Sequence, residues 1–359
     1  MAFARVVAFC SWPVVVPPVA AVVLAATWGR KPHGVVLVLV ALALVAAVIA
    51  AVHHAEVVAH RVGEPFGTLI LAISVTVIEV GLIVMLMTTP GQPADTLARD
   101  TVYSAFMIVC NGVMGLGLLV GALKHRVLRF RVEGVTGALA TLTSLATLTL
   151  VLPSFTTSEP GPSYSTAQLA FAGVASLVLY GVFVFVQTIR HRQQFVEEQE
   201  PYHAVPPSAR DALISLGMLI ICLVAVVGLA KIESPAIERG VKLLGAPQSV
   251  VGVAIALLVL LPETAAAVRA AARNRVQTSF NLALGSALAS IGLTIPAIAV
   301  AAKLLDQPLT LGLPAKDLIL LTLTVVVSVM TVAPGRATLL QGTVHLSIFG
   351  AFIFLALTP

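Results

Sequence analysis

Residues 63–87 read GEPFGTLILAISVTVIEVGLIVMLM, a run long enough to cross a bilayer that carries one carboxylate, Glu79, near its middle. An apolar helix of about 20 residues spans the roughly 30 Å hydrocarbon core. A charged group at the centre of such a span costs about 2.5–3.5 kcal/mol on insertion scales, so it marks a functional site. A second run, residues 247–270, PQSVVGVAIALLVLLPETAAAVRA, repeats the arrangement with Glu263. We therefore predict one cation site, near the middle of the membrane, that uses both carboxylates.

The composition is that of a membrane protein with many spans. Of 359 residues, 58% are hydrophobic and 10% are charged, whereas about a quarter of the residues of soluble domains are charged. The net charge is +5, and the charged residues lie mainly between apolar runs, so the excess indicates topology and a nucleic-acid partner is not expected. Three cysteines, Cys10, Cys110 and Cys222, lie inside apolar runs at unrelated spacings and predict neither disulfides nor a zinc site.

Apolar runs of about 17–25 residues predict an all-α polytopic fold with eleven transmembrane helices. The first run contains three prolines and is longer than the apolar part of a signal peptide, so we expect a retained, bent helix. Counting Lys and Arg between the runs gives 13 on one side and 8 on the other, and cytoplasmic loops carry the excess. The N-terminus is therefore expected in the cytoplasm and the C-terminus outside it. The predicted helices are 6–27, 34–57, 66–88, 101–123, 134–152, 166–189, 210–231, 247–270, 278–302, 315–333 and 338–357.

The longest polar break, residues 190–210, divides the chain into two halves. Without the first helix, five helices lie on each side, and an odd number forces the halves into opposite orientations, as in many secondary transporters. The acidic residues of the break, Glu197, Glu198 and Glu200, are expected to be solvated, with weak calcium sensing as the alternative. We predict an extra N-terminal helix in 1–30, a first five-helix repeat in 31–189, a cytoplasmic polar and acidic linker in 190–209 and a second repeat in 210–359.

Sequence similarity between the halves supports the repeat. Gly63-Glu64-Pro65 opens the first glutamate helix and Gly245-Ala246-Pro247 opens the second. Residues 104–118, SAFMIVCNGVMGLGL, align without gaps on residues 279–293, SFNLALGSALASIGL. This alignment places Asn111 opposite Ser286, although two helices rich in small residues also look alike by composition alone.

Oxygen-bearing groups near the two carboxylates complete the expected site. Thr76 lies three residues before Glu79 on the same helical face. Pro262 has no N–H, so it frees the carbonyl of Leu258 beside Glu263. Calcium takes six to eight oxygen ligands. The further candidates are Asn111, Ser286 and Asn281, for which ordinary hydrogen bonding between helices is the alternative.

Two carboxylates close together at low dielectric cannot both stay ionised without a counter-charge. Either protons or a cation must neutralise them, and this mutual exclusion is the physical basis of proton/cation antiport. A divalent ion matches the charge of two carboxylates better than a monovalent ion does.

Histidines supply a second set of candidates. In the segment HHAEVVAH, residues 53–60, Glu56 and His60 are four apart and share a helical face near a helix end. An interfacial polar helix end is expected there, with proton relay, pH sensing or zinc binding as the alternatives; the metalloprotease pattern H-E-x-x-H is absent. His345, inside the last helix, is expected either to relay protons or to bond a neighbouring helix.

The stretches GEPFGTLILAISVTVIEV and LLPETAAAVRAAARNRVQTSFNLALGSALASIGLTIP resemble the paired α-repeats of the calcium/cation antiporter superfamily. The match is best to its proton-coupled branch, and within that branch to the bacterial ChaA-type calcium/proton antiporters. The resemblance implies a transporter without a cofactor that exchanges cytosolic calcium for protons across the inner membrane by alternating access. It also implies that Glu79 and Glu263 bind ions and protons, with Asn111 and Ser286 on the following helices. The chain departs from the Gly-Asn-x-x-Glu pattern of plant and fungal exchangers, because it has Val75-Thr76 and Leu260-Leu261 instead.

Other functions remain open at this point. Exchange of sodium or potassium for protons is the near alternative. A cation channel usually needs a ring of charges or carbonyls from an oligomer, and two inverted halves within one chain argue against it. An intramembrane hydrolase needs a nucleophile and base, or a metal motif, in facing helices. The sequence shows neither, and the cluster in residues 53–60 is the feature that keeps a hydrolase as an alternative. An enzyme is therefore not expected. Inorganic cations and the lipid bilayer are the expected partners, and the oligomeric state is left open.

Overall fold

Helices make up most of the described part of the chain in the computed structural model, which describes residues 12–30, 32–63, 66–88, 95–195, 207–243 and 245–358. Within these residues, ten helices are long and apolar enough to cross a membrane, and an eleventh is shorter. The expected all-α polytopic fold is confirmed. The helices are α1 Trp12–Thr27, α2 Val35–Val62, α3 Phe66–Met87, α4 Leu97–His125, α5 Val132–Ser154, α6 Thr166–Arg190, α7 Ala209–Leu243, α8 Ser249–Ala272, α9 Val276–Leu304, α10 Ala315–Val332 and α11 Leu339–Leu357.

Four of the helices contain a π-helical turn, and two short strands pair the loop after α4 with the loop after α10. The π turns are Ile108–Val113 in α4, Thr147–Val151 in α5, Val186–Arg190 in α6 and Ser290–Thr294 in α9. The strands β1, Leu128–Arg129, and β2, Arg336–Ala337, pair antiparallel. Such π turns are frequent at functional sites.

Most helix boundaries agree with the predicted spans to within a few residues, but α7 does not end near residue 231. It continues through Pro235 to Leu243. Its 35 residues make a helix about 52 Å long at 1.5 Å per residue, well beyond the hydrocarbon core. Hydropathy detects only the apolar part of such a helix. Three predicted features lie outside the described residues: the first part of the 6–27 helix, the acidic residues 197–200, and Glu64-Pro65 of the first repeat signature.

The helices group into two compact units. The first contains α1, α2, α3 and α7, within residues 1–92 and 203–244, and the second contains the other seven, within residues 93–202 and 245–359. Each unit takes helices from both sides of the central linker. The two inverted repeats and the linker stay a prediction about how the sequence is divided.

Contacts within the second unit sort its loops into two groups. At one end β1 pairs with β2, and the backbone N–H of Arg131 donates to Gln277 Oε1 at 2.9 Å. At the other end the guanidinium of Arg99 donates to the carbonyl of Gly312 at 3.2 Å. This grouping agrees with loops that alternate between the two faces of a membrane, as the predicted order of spans requires.

Glycines allow α4 to approach two neighbouring helices closely. A Cβ on Gly252 of α8 would lie 2.8 Å from the backbone of Asp100 and Thr101, and one on Gly342 of α11 would lie 2.7 Å from the backbone N of Leu119. Small residues at such crossings are typical of membrane helices, because burial against lipid offers no hydrophobic gain and packing must supply the attraction. These crossings fix α4, which carries Asn111, between α8 and α11.

Candidate functional site

Glu79 is buried in the first unit, with 2% of its side chain exposed. It lies eight residues before the end of α3, about 12 Å along the helix at 1.5 Å per residue. Thr76, one turn earlier, is also buried, and its hydroxyl has no hydrogen-bond partner among the described residues. Close packing holds this part of α3 against α7, since a Cβ on Gly81 would lie 2.6 Å from a methyl group of Val227. A carboxylate and a buried hydroxyl therefore share one tightly packed face.

Glu263 lies in α8 of the second unit at a similar depth in its helix. It is nine residues before the helix end at Ala272, about 14 Å, and it is half-buried. The helix runs unbroken through Pro262, whose missing N–H leaves the carbonyl of Leu258 without its usual helical donor. The hydroxyl of Thr264 donates to the carbonyl of Leu260 at 2.7 Å. The carboxylate and the carbonyl that lacks its helical donor thus lie in the same stretch of α8.

Asn111 is fully buried in the π turn of α4 and is bonded to two other helices. Its amide N–H donates to Thr324 Oγ1 of α10 at 2.9 Å, and its Oδ1 lies 3.1 Å from Nδ1 of His345 in α11. His345 Nε2 lies 3.1 Å from the hydroxyl of Thr331, also in α10. We call these four residues the asparagine–histidine network.

The partners in the asparagine–histidine network assign its protons. The hydroxyl of Thr324 already donates to a carbonyl, that of Leu320, at 2.7 Å, so its oxygen accepts from the amide of Asn111. The amide oxygen can only accept, so Nδ1 of His345 carries a proton. In the neutral imidazole Nε2 then accepts from the hydroxyl of Thr331. The network is complete with every member uncharged, and it makes the contact between helices that the sequence offered as one role of His345.

Sequence reasoning missed the polar face of α10. Thr324, Ser328 and Thr331 are all buried there, and the hydroxyl of Ser328 has no hydrogen-bond partner among the described residues. The spacing of four and three residues within LTLTVVVSVMT is the signal that points to one helical face. This face places the hydroxyl of Thr324 against Asn111 and that of Thr331 against His345.

The two remaining candidates of the second half lie on α9, where both are half-buried. Asn281 donates its amide N–H to the carbonyl of Phe195 and accepts from Gln277 Nε2 at 3.1 Å. Its side chain therefore ties α9 to the segment that follows α6. Ser286 lies about one and a half turns further along the same helix.

At the histidine-rich end of α2 the buried residue is His54, and not Glu56 or His60. Its role is to join α2 to α1. Glu56 and His60 are exposed, whereas His54 is buried and its Nε2 lies 2.8 Å from the carbonyl of Pro13 in α1. Pro17 has no N–H to offer that carbonyl, so the imidazole N–H replaces the missing helical bond. The described residues contain no group of three or more His, Cys, Asp or Glu that would hold a metal ion.

Comparison with known proteins extends over nearly the whole chain. The sodium/calcium exchanger protein family model matches residues 33–189 and 214–358. The protein y4hA of Sinorhizobium fredii is 45% identical and covers 97% of this chain and 96% of its own length. The sodium-potassium/proton antiporter ChaA of Escherichia coli is 36% identical and covers 94% of this chain and 93% of its own.

Solved structures show the same fold. Native YfkE superposes with a TM-score of 0.73 at 14% identity and covers 97% of this chain and 99% of its own. The H+/Ca2+ exchanger CAX superposes with a TM-score of 0.66 at 15% identity, covering 95% of this chain and 86% of its own. At this identity the likeness concerns the fold alone.

Proposed function

Because the chain belongs to the sodium/calcium exchanger protein family, we propose that it is a proton-coupled cation antiporter in which Glu79 and Glu263 carry protons and cations in turn. It is a multi-pass membrane protein and not an enzyme. The proposed location is the bacterial plasma membrane, with the N-terminus in the cytoplasm. The proposed reaction is the export of calcium in exchange for protons that enter the cell.

The observation that carries the proposal is the burial of Glu79 inside an apolar span. An ionised carboxylate there costs several kcal/mol unless it is neutralised. A proton or a cation neutralises it, and the two loads exclude each other. If the empty, charged site seldom changes the side of the membrane to which it is open, the protein can return only with the other kind of ion bound. The two ions are then exchanged.

Calcium is the leading substrate on grounds of charge. One divalent ion balances two carboxylates, and hydroxyl and carbonyl oxygens such as those of Thr76 and Leu258 are ligands that hard cations accept. Asn111 stays outside the ion site because its amide is bonded to Thr324 and His345. In this proposal Ser286 is an additional oxygen donor. Asn281 stays outside the ion site because its amide is bonded to Phe195 and Gln277.

Exchange of sodium or potassium for protons is the second candidate. It is favoured by the 36% identical relative, which is named a sodium-potassium/proton antiporter. It is also favoured by Val75 and Leu260, apolar residues where more side-chain oxygens would help to replace the hydration shell of calcium.

Reconstituted vesicles with an acidic interior distinguish the two candidates. Uptake of radioactive calcium driven by the proton gradient is expected for calcium/proton exchange, and the loss of protons from the interior on adding sodium or potassium is expected for the second candidate. A trapped pH-sensitive dye measures the proton movement in both cases.

Three variants test the carboxylates. Glu79→Gln and Glu263→Gln keep the side-chain shape but remove the charge and the titratable proton, so each is expected to abolish exchange. Glu159→Gln, in an exposed loop, removes the same charge and is expected to leave exchange unchanged. Full exchange in either glutamine variant of the two spans, at unchanged expression, would rule out the proposed mechanism.

A further inference from the structure

A cavity of about 480 Å³ lies within the first unit, where the connection between α1 and α2 meets the last third of α7. Trp28 and Arg30 of the connection form one wall. Lys231, Pro235 and Arg239 of α7 form the other, and their spacing of four residues places them along one side of the helix. The volume is within the range of about 300–1,000 Å³ that small-molecule sites occupy.

The cavity is cationic. Arg30, Lys231 and Arg239 are all exposed, and no carboxylate is among the described residues that line it. Within the described part of the chain one ion pair is found, between Arg99 and Asp100 in the other unit. Three positive charges therefore face one space without a neighbouring carboxylate from the described lining. An anion with oxygen acceptors is the ligand that suits such a space.

An apolar surface continues from the cavity. Leu37 lines it, and Val35 and Val38 on the adjoining first turn of α2 are 76% and 59% exposed, as expected for side chains that face acyl chains. The indole of Trp28 is also exposed, and the ammonium of Lys231 lies 5.5 Å from the centre of its ring. Tryptophan is enriched at the level of the lipid headgroups. The cavity thus lies where a charged headgroup meets an apolar chain.

We propose that this cavity binds the phosphate of an anionic phospholipid, held between Arg30, Lys231 and Arg239, with the acyl chains along the start of α2. Guanidinium and ammonium groups are the usual protein ligands of phosphate. A zwitterionic headgroup fits less well because its ammonium meets three cations and none of the described carboxylates. Free inorganic phosphate carries the right charge but gains nothing from the apolar wall. The proposal is independent of which ion the protein transports.

Lipid retention measures the site directly. The protein is purified in detergent with equal amounts of phosphatidylglycerol and phosphatidylcholine, and the bound lipids are counted by native mass spectrometry. Each basic residue near an anionic lipid contributes about fivefold to binding, so the pocket variant Arg30→Gln/Lys231→Gln/Arg239→Gln is expected to retain phosphatidylglycerol about a hundredfold more weakly. The matched variant Arg210→Gln/Arg273→Gln/Lys303→Gln removes the same charges from exposed helix ends elsewhere and is expected to retain lipid like the unchanged protein.

The other outcomes overturn the proposal. Equal retention by the pocket variant and the unchanged protein shows that the lipid is held elsewhere. An equal loss in the matched variant shows that the lipid is held by charge in general. Equal retention of phosphatidylcholine removes the preference for an anionic headgroup. Displacement of phosphatidylglycerol by millimolar inorganic phosphate identifies a free anion as the ligand.

A second measurement needs no variant, so it applies even if the pocket variant does not fold. In nanodiscs, hydrogen–deuterium exchange of residues 28–39 and 231–239 of the unchanged protein is expected to slow with phosphatidylglycerol relative to phosphatidylcholine. Unchanged exchange in both segments contradicts the proposed site.

Discussion

The asparagine–histidine network offers a test of how buried polar groups stabilise this membrane protein. Replacing His345 by Phe removes the ring nitrogens that bond Asn111 and Thr331, and it leaves the amide oxygen of Asn111 stranded in the second unit. Replacing Asn111 by Leu removes the same bond from the other side and leaves the imidazole of His345 with the backbone of Cys110 and the hydroxyl of Thr331. The double variant Asn111→Leu/His345→Phe removes both partners and leaves neither group unpaired by the loss of the other.

The expected energies follow from burial and from the number of bonds. Both side chains are fully buried, and stranding a buried polar group costs about 1–3 kcal/mol. Each single variant should therefore lose about 1–3 kcal/mol of unfolding free energy. Hydrogen bonds between membrane helices contribute about 0.6 kcal/mol on average and up to about 1.7 kcal/mol. The double variant should accordingly lose less than the sum of the singles, by about 0.6–1.7 kcal/mol.

Unfolding by SDS in mixed micelles, followed by circular dichroism, measures these differences. Tryptophan fluorescence is unsuitable because the chain has two tryptophans, Trp12 and Trp28, and both belong to the first unit. As a control, Ser176→Ala replaces a buried hydroxyl that bonds only its own helix, at Ala172, and it should be additive with His345→Phe. Strict additivity of Asn111→Leu and His345→Phe, or a gain in stability from either alone, would refute a stabilising hydrogen bond between Asn111 and His345.

Three further predictions concern packing and unpaired groups. Gly252→Val should lower the unfolding free energy by about 1–3 kcal/mol in the SDS titration, because even a Cβ at this position lies 2.8 Å from backbone atoms. In the control Gly285→Ala the added Cβ has no described neighbour outside its own helix within 4 Å, so no measurable loss is expected. His54→Leu should lower the melting temperature seen by tryptophan fluorescence, since the carbonyl of Pro13 loses its donor, and His54→Gln, which keeps an N–H, should restore part of the loss; equal melting of both variants contradicts that bond. Ser328→Ala should raise the unfolding free energy by about 1 kcal/mol by removing a buried hydroxyl that lacks a partner among the described residues, and a loss of stability would indicate an unseen partner.

Hydropathy predicts most of this fold because each span in lipid must make its backbone hydrogen bonds within itself, as a helix does. The same argument does not reach the end of α7, where residues after Lys231 are polar but still helical. The sequence also indicates that Asn111 matters, without naming its partners. Thr324 and His345 are more than 200 residues away along the chain, and only the packing of α4, α10 and α11 brings them together. The sequence shows that Pro17 leaves the carbonyl of Pro13 without its helical donor, but it does not show that the side chain of His54 reaches that carbonyl.

The polar groups of the spans fall into two physical classes, and the division supports the proposed mechanism. The asparagine–histidine network is neutral, and its bonds are made between side chains of the protein, so it holds its shape whichever ion is bound. A carboxylate in an apolar span differs because a proton or a cation can neutralise it and then leave. Glu79 and Glu263 are carboxylates of this kind, each near the same depth of an apolar helix. A Lys or Arg introduced beside either carboxylate would neutralise it permanently and would end the exchange. We therefore expect that placing a Lys one turn from Glu79, as in Thr76→Lys, abolishes proton-driven uptake while the protein still folds; uptake at the unchanged rate would show that Glu79 is not where the load is exchanged.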